Sequence, residues 1–355
     1  MTVSTRLHRG ARIEDAVMAR LARVLRRFGW RPLAVPFTAY GSAPAHTAPA
    51  GSEGWVRVLL RVKLSSQRAT AEEVAGGRWW RKFFTVGLSG VPVQVRVGSF
   101  SHEISSDRGG YVDVVVPSDL TPGWHELQVS VVGRPPATAR LRVVGPDERF
   151  GLVSDIDDTV MITALPRPLL AFWNTFVVKA TNRRPVPGMA ALYGRLRHQE
   201  PDGFVVYLST GAWNVARALA LFLEHHDYPR GPLLMTDWGP TTDSWFRSGR
   251  DHKHRELRRL VADFPQLRWV LVGDDGQHDP QLYEELADEV PEALRMVLIR
   301  QLTTVEQVLT HGTPLPPEDA ALNAPSPVLW LRGPDGSALA AQLPTDETED
   351  PEKGT

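Results

Sequence analysis

Cysteine is absent from all 355 residues. That excludes disulfide scaffolds, thiolate metal sites and cysteine nucleophiles together, so any metal must sit on oxygen or imidazole. Uninterrupted apolar runs of the ~18–20 residues needed to span a membrane are also missing, and the arginine-rich N-terminus has no apolar stretch of the secretory-signal kind. A cytoplasmic location is expected. Net charge is close to zero: 40 basic against 41 acidic residues leave a formal −1, which gives no whole-protein field for nucleic acid. Thirty-five of the 40 basic residues are arginine, a bias that reflects a GC-rich genome more than a binding device.

What is present is a chain long enough for two cores, and its hydrophobic pattern changes along its length. Residues 12–30 place Ile13, Val17, Leu21, Val24, Leu25 and Phe28 at helical spacing among arginines, which predicts a cationic amphipathic helix. Docking of its apolar stripe on the protein is favoured over adsorption to an anionic membrane surface. With its linker this region takes residues 1–48. From Trp55 to Val144, period-two runs such as VPVQVRV and HELQVSVV alternate with Gly, Pro and Asp turns, which predicts a small antiparallel β-sandwich over 49–147. No candidate chemical site falls in it.

From Phe150 the rhythm becomes strand, helix, strand. FGLVSDI, GFVVYLST, GPLLMT, RWVLVGDD and LRMVLIR are compact apolar runs of the buried parallel type, with helices expected at 188–199, 212–226, 252–264 and 279–290. The pattern is that of an α/β, doubly wound, Rossmann-like parallel sheet over 148–310, whose ligands bind at the carboxyl ends of the strands. Residues 311–355 read as a Pro- and Ala-rich extension with an acidic tail.

The charged residues collect at those strand ends. Asp155 and Asp157 stand two apart in VSDIDDT where a buried strand runs out, one suited to bind a cation and attack, the other to protonate a leaving group. Magnesium, a hard cation that seeks oxygen, would bring an anionic nucleophile to an anionic phosphoryl group. Thr159 closes this motif. Asp274, in GDDGQHD after another strand, is positioned to complete the metal shell. Ser209-Thr210-Gly211 ends a third strand, where a hydroxyl and backbone N–H groups would meet phosphate oxygens, and Lys253 would neutralise the remaining charge. Asp275 and Asp279 are open to turn or capping roles.

These four elements, in this order, resemble the motifs of the haloacid-dehalogenase (HAD-like) superfamily. The longer strings FGLVSDIDDTV, the His-Lys pair at 252–253, and VLVGDDGQHDPQLYEEL followed by VLIR resemble the catalytic domain of the phosphatidate phosphatases related to the yeast actin-patch protein. The resemblance covers about residues 148–302. It implies an aspartyl-phosphate on Asp155, general acid and base duty for Asp157, phosphoryl binding by Ser209, stabilisation by Lys253, and Mg2+ held by Asp155, Asp274 and the backbone carbonyl of Asp157. It also implies hydrolysis of phosphatidate to diacylglycerol. One departure is that Ser209-Thr210-Gly211-Ala212-Trp213 replaces an expected Ser-Asn-Ser-Pro-Trp type of sequence, which leaves Ser209 or Thr210 as the motif hydroxyl; alignment on Trp213 selects Ser209.

Between motif one and Gly188 lies an insertion carrying Leu169, Leu170, Phe172, Trp173, Phe176 and Val177 beside Arg183 and Arg184. Its apolar residues suit acyl chains and its arginines a phosphate head group, although a helix packed on the sheet explains it equally well. Trp213, Trp238 and Trp245 follow strands and would suit a hydrophobic mouth or ordinary packing. A soluble phosphomonoester as substrate, or a catalytically silent membrane- or protein-binding module, are the alternatives.

Overall fold

The computed structural model describes residues 20, 22–45, 53–66, 69, 87–162, 183–198, 200–236, 245–276, 278–304, 306 and 327–344. The chain divides into two compact units that meet in sequence between Pro146 and Asp147.

The first unit is built on β1 (Arg31–Pro36), β2 (Ala39–Ser42), β3 (Gly54–Ser65), β4 (Pro92–Val97), β5 (Phe100–Ser105), β6 (Tyr111–Ser118), β7 (Gly123–Ser130) and β8 (Ala137–Val144). Alternation of side chains places Val93, Val95 and Val97 inward, and with Leu60, Val62, Leu127 and Leu141 they form its core. The expected two-sheet sandwich is instead one hydrogen-bonded sheet in the order β1-β3-β2-β8-β7-β4-β5, with β6 on β3. The cause is the 12-residue length of β3. Its first half pairs with β2, its second half with β1, and β6 runs along it as well. A parallel β2–β8 pairing links this group to the remaining strands. Two strands therefore come from residues 31–42, inside the region expected to be helix and linker. Residues 12–19 and Leu21 of the expected N-terminal helix lie outside the described residues; Ala22–Arg27 are helical, and Leu25 packs against the core.

The second unit contains β9 (Phe150–Asp155), β10 (Phe204–Ala212), β11 (Leu233–Thr236), β12 (Arg268–Asp274), β13 (Leu294–Arg300) and β14 (Leu329–Gly333), hydrogen-bonded in the order β11-β10-β9-β12-β13-β14. Every pairing is parallel. Central strands of such a sheet are covered on both faces, which is why their sequences are continuously apolar. All six residues of β9 are buried, and full burial of side chains such as Leu152 contributes about 1.5–3 kcal/mol each. The helices are Met189–Leu196, Ala216–His225, Trp245–Asp263, Asp279–Glu289 and Gly336–Ala341. The third starts seven residues before the expected 252, because Ser248, Gly249 and Asp251 read as turn formers in sequence.

The sheet also extends beyond the expected boundary at 310. Strand β14 pairs with β13 from Met296↔Leu329 to Arg300↔Gly333, and the helix after it packs on Met189–Leu196. Among the described residues no helix is long and apolar enough to cross a membrane.

Candidate active site

From β9 the chain proceeds outward through β10 and β11, then returns to β12 on the other side of β9. A reversal of this kind opens a crevice at the carboxyl ends of the two diverging strands. Asp155 ends β9 and Asp274 ends β12, so both stand there. Beyond Asp155 the backbone closes tightly: Val160 and Met161 N–H both donate to the Ile156 carbonyl, and Asp158 N–H donates to the Met161 carbonyl at 2.8 Å. Asp158 takes up the turn at a left-handed φ of 57°, a conformation that Asp tolerates better than most residues. This loop carries Asp157 back over the sheet edge toward β10, where the Ser209 hydroxyl donates to Asp157 Oδ2 at 3.4 Å.

Lys253 enters from the helix Trp245–Asp263. Its Nζ lies 2.6 Å from Asp155 Oδ1 and 2.7 Å from Asp279 Oδ1, and all three side chains are buried. Asp155, Asp274 and Asp279 offer carboxylate oxygens within 4.8 Å of one another. Asp274 is further held by Gly276 N–H, which donates to Oδ1 at 2.8 Å, and by the Thr159 hydroxyl, which donates to Oδ2 at 3.4 Å.

Charge is unbalanced in this cluster. Three ionised carboxylates against one ammonium would leave two negative charges in a dry site. Burial accordingly pushes the Asp155 carboxyl well above the ordinary range, with Lys253 opposing and Asp279 and Asp157 adding to the shift. Burial does the same to Asp274, reinforced by Asp279 and Asp155. For Lys253 burial acts to lower the pKa, but the two carboxylates outweigh it and hold the ammonium charged. Desolvation and then the charge of Asp158 raise Asp157 to about 6, against Arg183 and Lys253. Asp155 Oδ2, Asp157 Oδ1 and Asp279 Oδ2 are buried with no hydrogen-bond partner. Buried oxygens in that condition are rare unless something else satisfies them. Excess negative charge and unsatisfied hard oxygens together fit a divalent, oxygen-seeking cation.

Asp279 is the residue the sequence left between roles. It is not the helix cap, since His278 holds that place; it occupies the first helical position with its side chain turned into the cluster. Gly273 makes this possible. A Cβ at 273 would lie 2.7 Å from Asp279 Oδ2 and 2.8 Å from Asp279 Cβ, so the helix can seat Asp279 against β12 only where the strand has no side chain. Gly273→Ala is expected to lower stability by about 1–3 kcal/mol through overpacking and to reduce turnover as Asp279 is displaced. Chemical denaturation beside kinetics checks both.

Of the other expected residues, Thr159 and Ser209 are buried beside the aspartates. Gly211 N–H donates to Ser209 Oγ at 3.0 Å. Ser209 is the hydroxyl that faces Asp157, whereas the Thr210 methyl lies toward Gly249 of the Lys253 helix. Arg183 is partly buried, and burial lowers its pKa against the opposing charges of Asp157 and Asp158. Arg184 is exposed and contributes its carbonyl, which accepts from Ile162 N–H. The insertion residues Leu169, Leu170, Phe172, Trp173, Phe176 and Val177, and also Trp238, lie outside the described residues, as does the side chain of Trp245; Trp213 is buried. Asp275 is turned away, and its Oδ1 accepts from Leu302 N–H at 2.8 Å. Arg300 was not singled out by sequence, yet its buried guanidinium donates to the Asp158 carbonyl at 2.6 Å and to Glu306 Oε1 at 2.7 Å, fixing the loop that carries Asp157. An arginine closing a strand of the parallel sheet was its only sequence signal.

A buried carboxylate, a second carboxylate two residues on, a hydroxyl, a buried lysine and further acids are thus brought to one sheet edge. Residues 150–301 match the family model of the phosphatidate phosphatase APP1 catalytic domain. The resemblance read from the motifs is borne out by this match. Phosphatidate phosphatase APP1 of Saccharomyces cerevisiae is 25% identical over 152 residues, covering 42% of this chain and 26% of that protein. An uncharacterized protein of Schizosaccharomyces pombe is 22% identical over 154 residues, covering 43% of this chain and 25% of its own length. The matched region is about a quarter of each of these relatives. Among solved structures, a carbohydrate acetylesterase from Xanthomonas citri aligns over 61% of this chain and 63% of its own at 12% identity, with a TM-score of 0.23. So low a score carries no argument. The APP1 match spans β9 to the end of β13 and takes in each aspartate, Ser209, Lys253 and Arg300.

Proposed function

We propose that this protein is a magnesium-dependent phosphatase of the HAD-like type that hydrolyses phosphatidate to diacylglycerol through an aspartyl-phosphate. The observation that carries the reading is the buried contact of Asp155 with Lys253, inside a ring of acids with unsatisfied oxygens. The phosphatidate substrate is supported by the APP1 match. A cytoplasmic site of action belongs to the same proposal.

In the first step an Asp155 carboxylate oxygen attacks phosphorus, the bond from phosphorus to the glyceride oxygen breaks, and Asp157 gives that oxygen its proton. Lys253 holds Asp155 oriented and opposes the charge of the phosphoryl oxygens, while the Ser209 hydroxyl binds them. In the second step water attacks phosphorus, Asp157 takes the proton of the water, and the acyl-phosphate bond breaks to release phosphate and restore Asp155. A raised pKa at Asp157, about 6, suits a group that must both give and take a proton. Asp155, Asp274 and the Asp157 carbonyl would hold magnesium, and the position of Asp279 adds it to that set. When bound, the ion supplies the positive charge that lets the carboxylates and the phosphoryl group approach.

The test is phosphate release from phosphatidate in mixed micelles and from a soluble phosphomonoester such as p-nitrophenyl phosphate. Release from phosphatidate is expected, to stop with EDTA and to resume with added magnesium. Release from the soluble ester alone would refute the lipid substrate, and no metal-dependent release from either would refute the enzyme.

A further inference from the structure

Two short segments of the first unit are free of acidic residues. Residues 16–52 contain Arg20, Arg23, Arg26, Arg27 and Arg31 and no Asp or Glu; residues 127–146 contain Arg134, Arg140 and Arg142 and again no acid. In a chain with a net charge of −1, these stretches carry +5 and +3; in the second, Arg142 is buried and Arg134 is bonded to backbone carbonyls, so the exposed charge is mainly that of the first.

The helix in the first segment uses its two faces differently. At 100° per residue, Ala22 and Leu25 fall on one side. Ala22 is buried, and Leu25 and the following Trp30 pack against the β core, so docking is accounted for by this side. The opposite arc reads Arg23, Arg27, Arg20 and Val24, and Phe28 follows in the turn that ends the helix. All five are exposed, and Phe28 has 78% of its surface in solvent. So exposed an aromatic adds little to the core of its own protein.

A second apolar tip belongs to the same end of the unit. Val132 stands at the corner of the turn between β7 and β8, 89% exposed, where Gly133 takes a φ of 79° and Arg134 N–H closes the turn on the Val131 carbonyl. The Arg134 guanidinium fastens this turn to the chain just beyond the helix. Its Nε donates to the Pro32 carbonyl at 3.2 Å and its Nη2 to the Arg31 carbonyl at 3.2 Å. The turn presenting Val132 and the helix presenting Phe28 are therefore held together at the start of β1.

We propose that this end of the β unit is a docking surface for an anionic lipid bilayer, with Phe28, Val24 and Val132 entering the interface and the surrounding arginines meeting phospholipid head groups. Apolar tips ringed by arginine suit that occupant in particular. Arginine stems lie along the apolar boundary while the guanidinium groups reach the phosphates, and the exposed arc of the helix carries Arg20, Arg23 and Arg27 with no acid among them. The inference does not depend on the phosphatase reading, because no phosphomonoester is needed for it.

Co-sedimentation with vesicles tests it directly. Vesicles of phosphatidylcholine with 30% phosphatidylserine, free of phosphatidate so that a phosphatase site has nothing to hold, should bring down the full chain; pure phosphatidylcholine should not, and added salt should release the protein. Arg23→Gln with Arg27→Gln should weaken binding about 25-fold, taking about fivefold for each arginine near the surface. Phe28→Asp with Val132→Asp should remove it. Since all four side chains are exposed, thermal melts should be unchanged, which separates lost docking from lost folding. Equal binding to both vesicle types, binding undiminished in both double variants, or a chain that ignores vesicles while retaining RNA or a protein partner through these residues would overturn the proposal.

Discussion

Asp155→Asn should abolish phosphate release, by about 10⁴- to 10⁶-fold in kcat, the scale seen when a covalent nucleophile is removed. The replacement keeps the shape of the side chain but not its chemistry, since an amide has no anionic oxygen with which to attack phosphorus. Its effect on stability should run the other way. Without metal, Asp155 is one of three buried carboxylates sharing a single ammonium, and burial already forces its pKa upward. Taking one charge from that group leaves Lys253 paired with Asp279 at 2.7 Å. The melting temperature in EDTA should therefore be equal to or higher than that of the wild type, while the stabilisation on adding magnesium should shrink, because a ligand stabilises only as far as the folded state binds it. Retained turnover would refute the nucleophile. A fall in stability without metal would refute the charge imbalance.

Lys253→Met is the complementary experiment, with the opposite signature in stability. It removes the only cation bonded to Asp155 and Asp279 among the described residues. Breaking a buried pair by deleting one partner costs about 3–5 kcal/mol, because the charge left behind has neither water nor a counter-ion. Here two carboxylates are left behind. Turnover should fall by about 10²–10³-fold through lost electrostatic stabilisation. Chemical denaturation in EDTA reads the first effect and steady-state kinetics with magnesium the second. The double variant with Asp155→Asn should recover part of the lost stability, since groups in contact are not additive. A Lys253→Met protein as stable as the wild type would show that the ammonium is not the counter-charge.

Much of this site could be read from sequence because its parts lie at ends of strands that announce themselves. Val205–Leu208, Val270–Val272 and Val297–Ile299 are apolar without interruption, as strands covered on both faces must be, and polar residues immediately after them fall into the crevice. What could not be read depended on contacts between distant segments. Asp279 looks like an ordinary acid at a helix start until the approach allowed by Gly273 turns it toward Lys253, 26 residues away. The Lys253 helix was foreshortened in sequence because Gly249 resembles a break, yet its Cα sits where a Cβ would lie 3.2 Å from the Thr210 methyl. Close packing, and not local preference, decides that position. In the first unit, RPLAVP and AYGS are short and hold Pro and Gly, so nothing local marks β1 and β2 as strands. Their identity comes from the long partner β3.

The sixth strand of the parallel sheet bears on how this protein can be cut. A recombinant fragment ending at residue 310, where composition changes, would leave the whole edge of β13 without its neighbour and take away the Pro334 carbonyl that receives Arg300 Nε. A bare, apolar strand edge invites pairing between molecules, so such a fragment should precipitate or form strand-joined oligomers, and one carried through Pro344 should remain monodisperse.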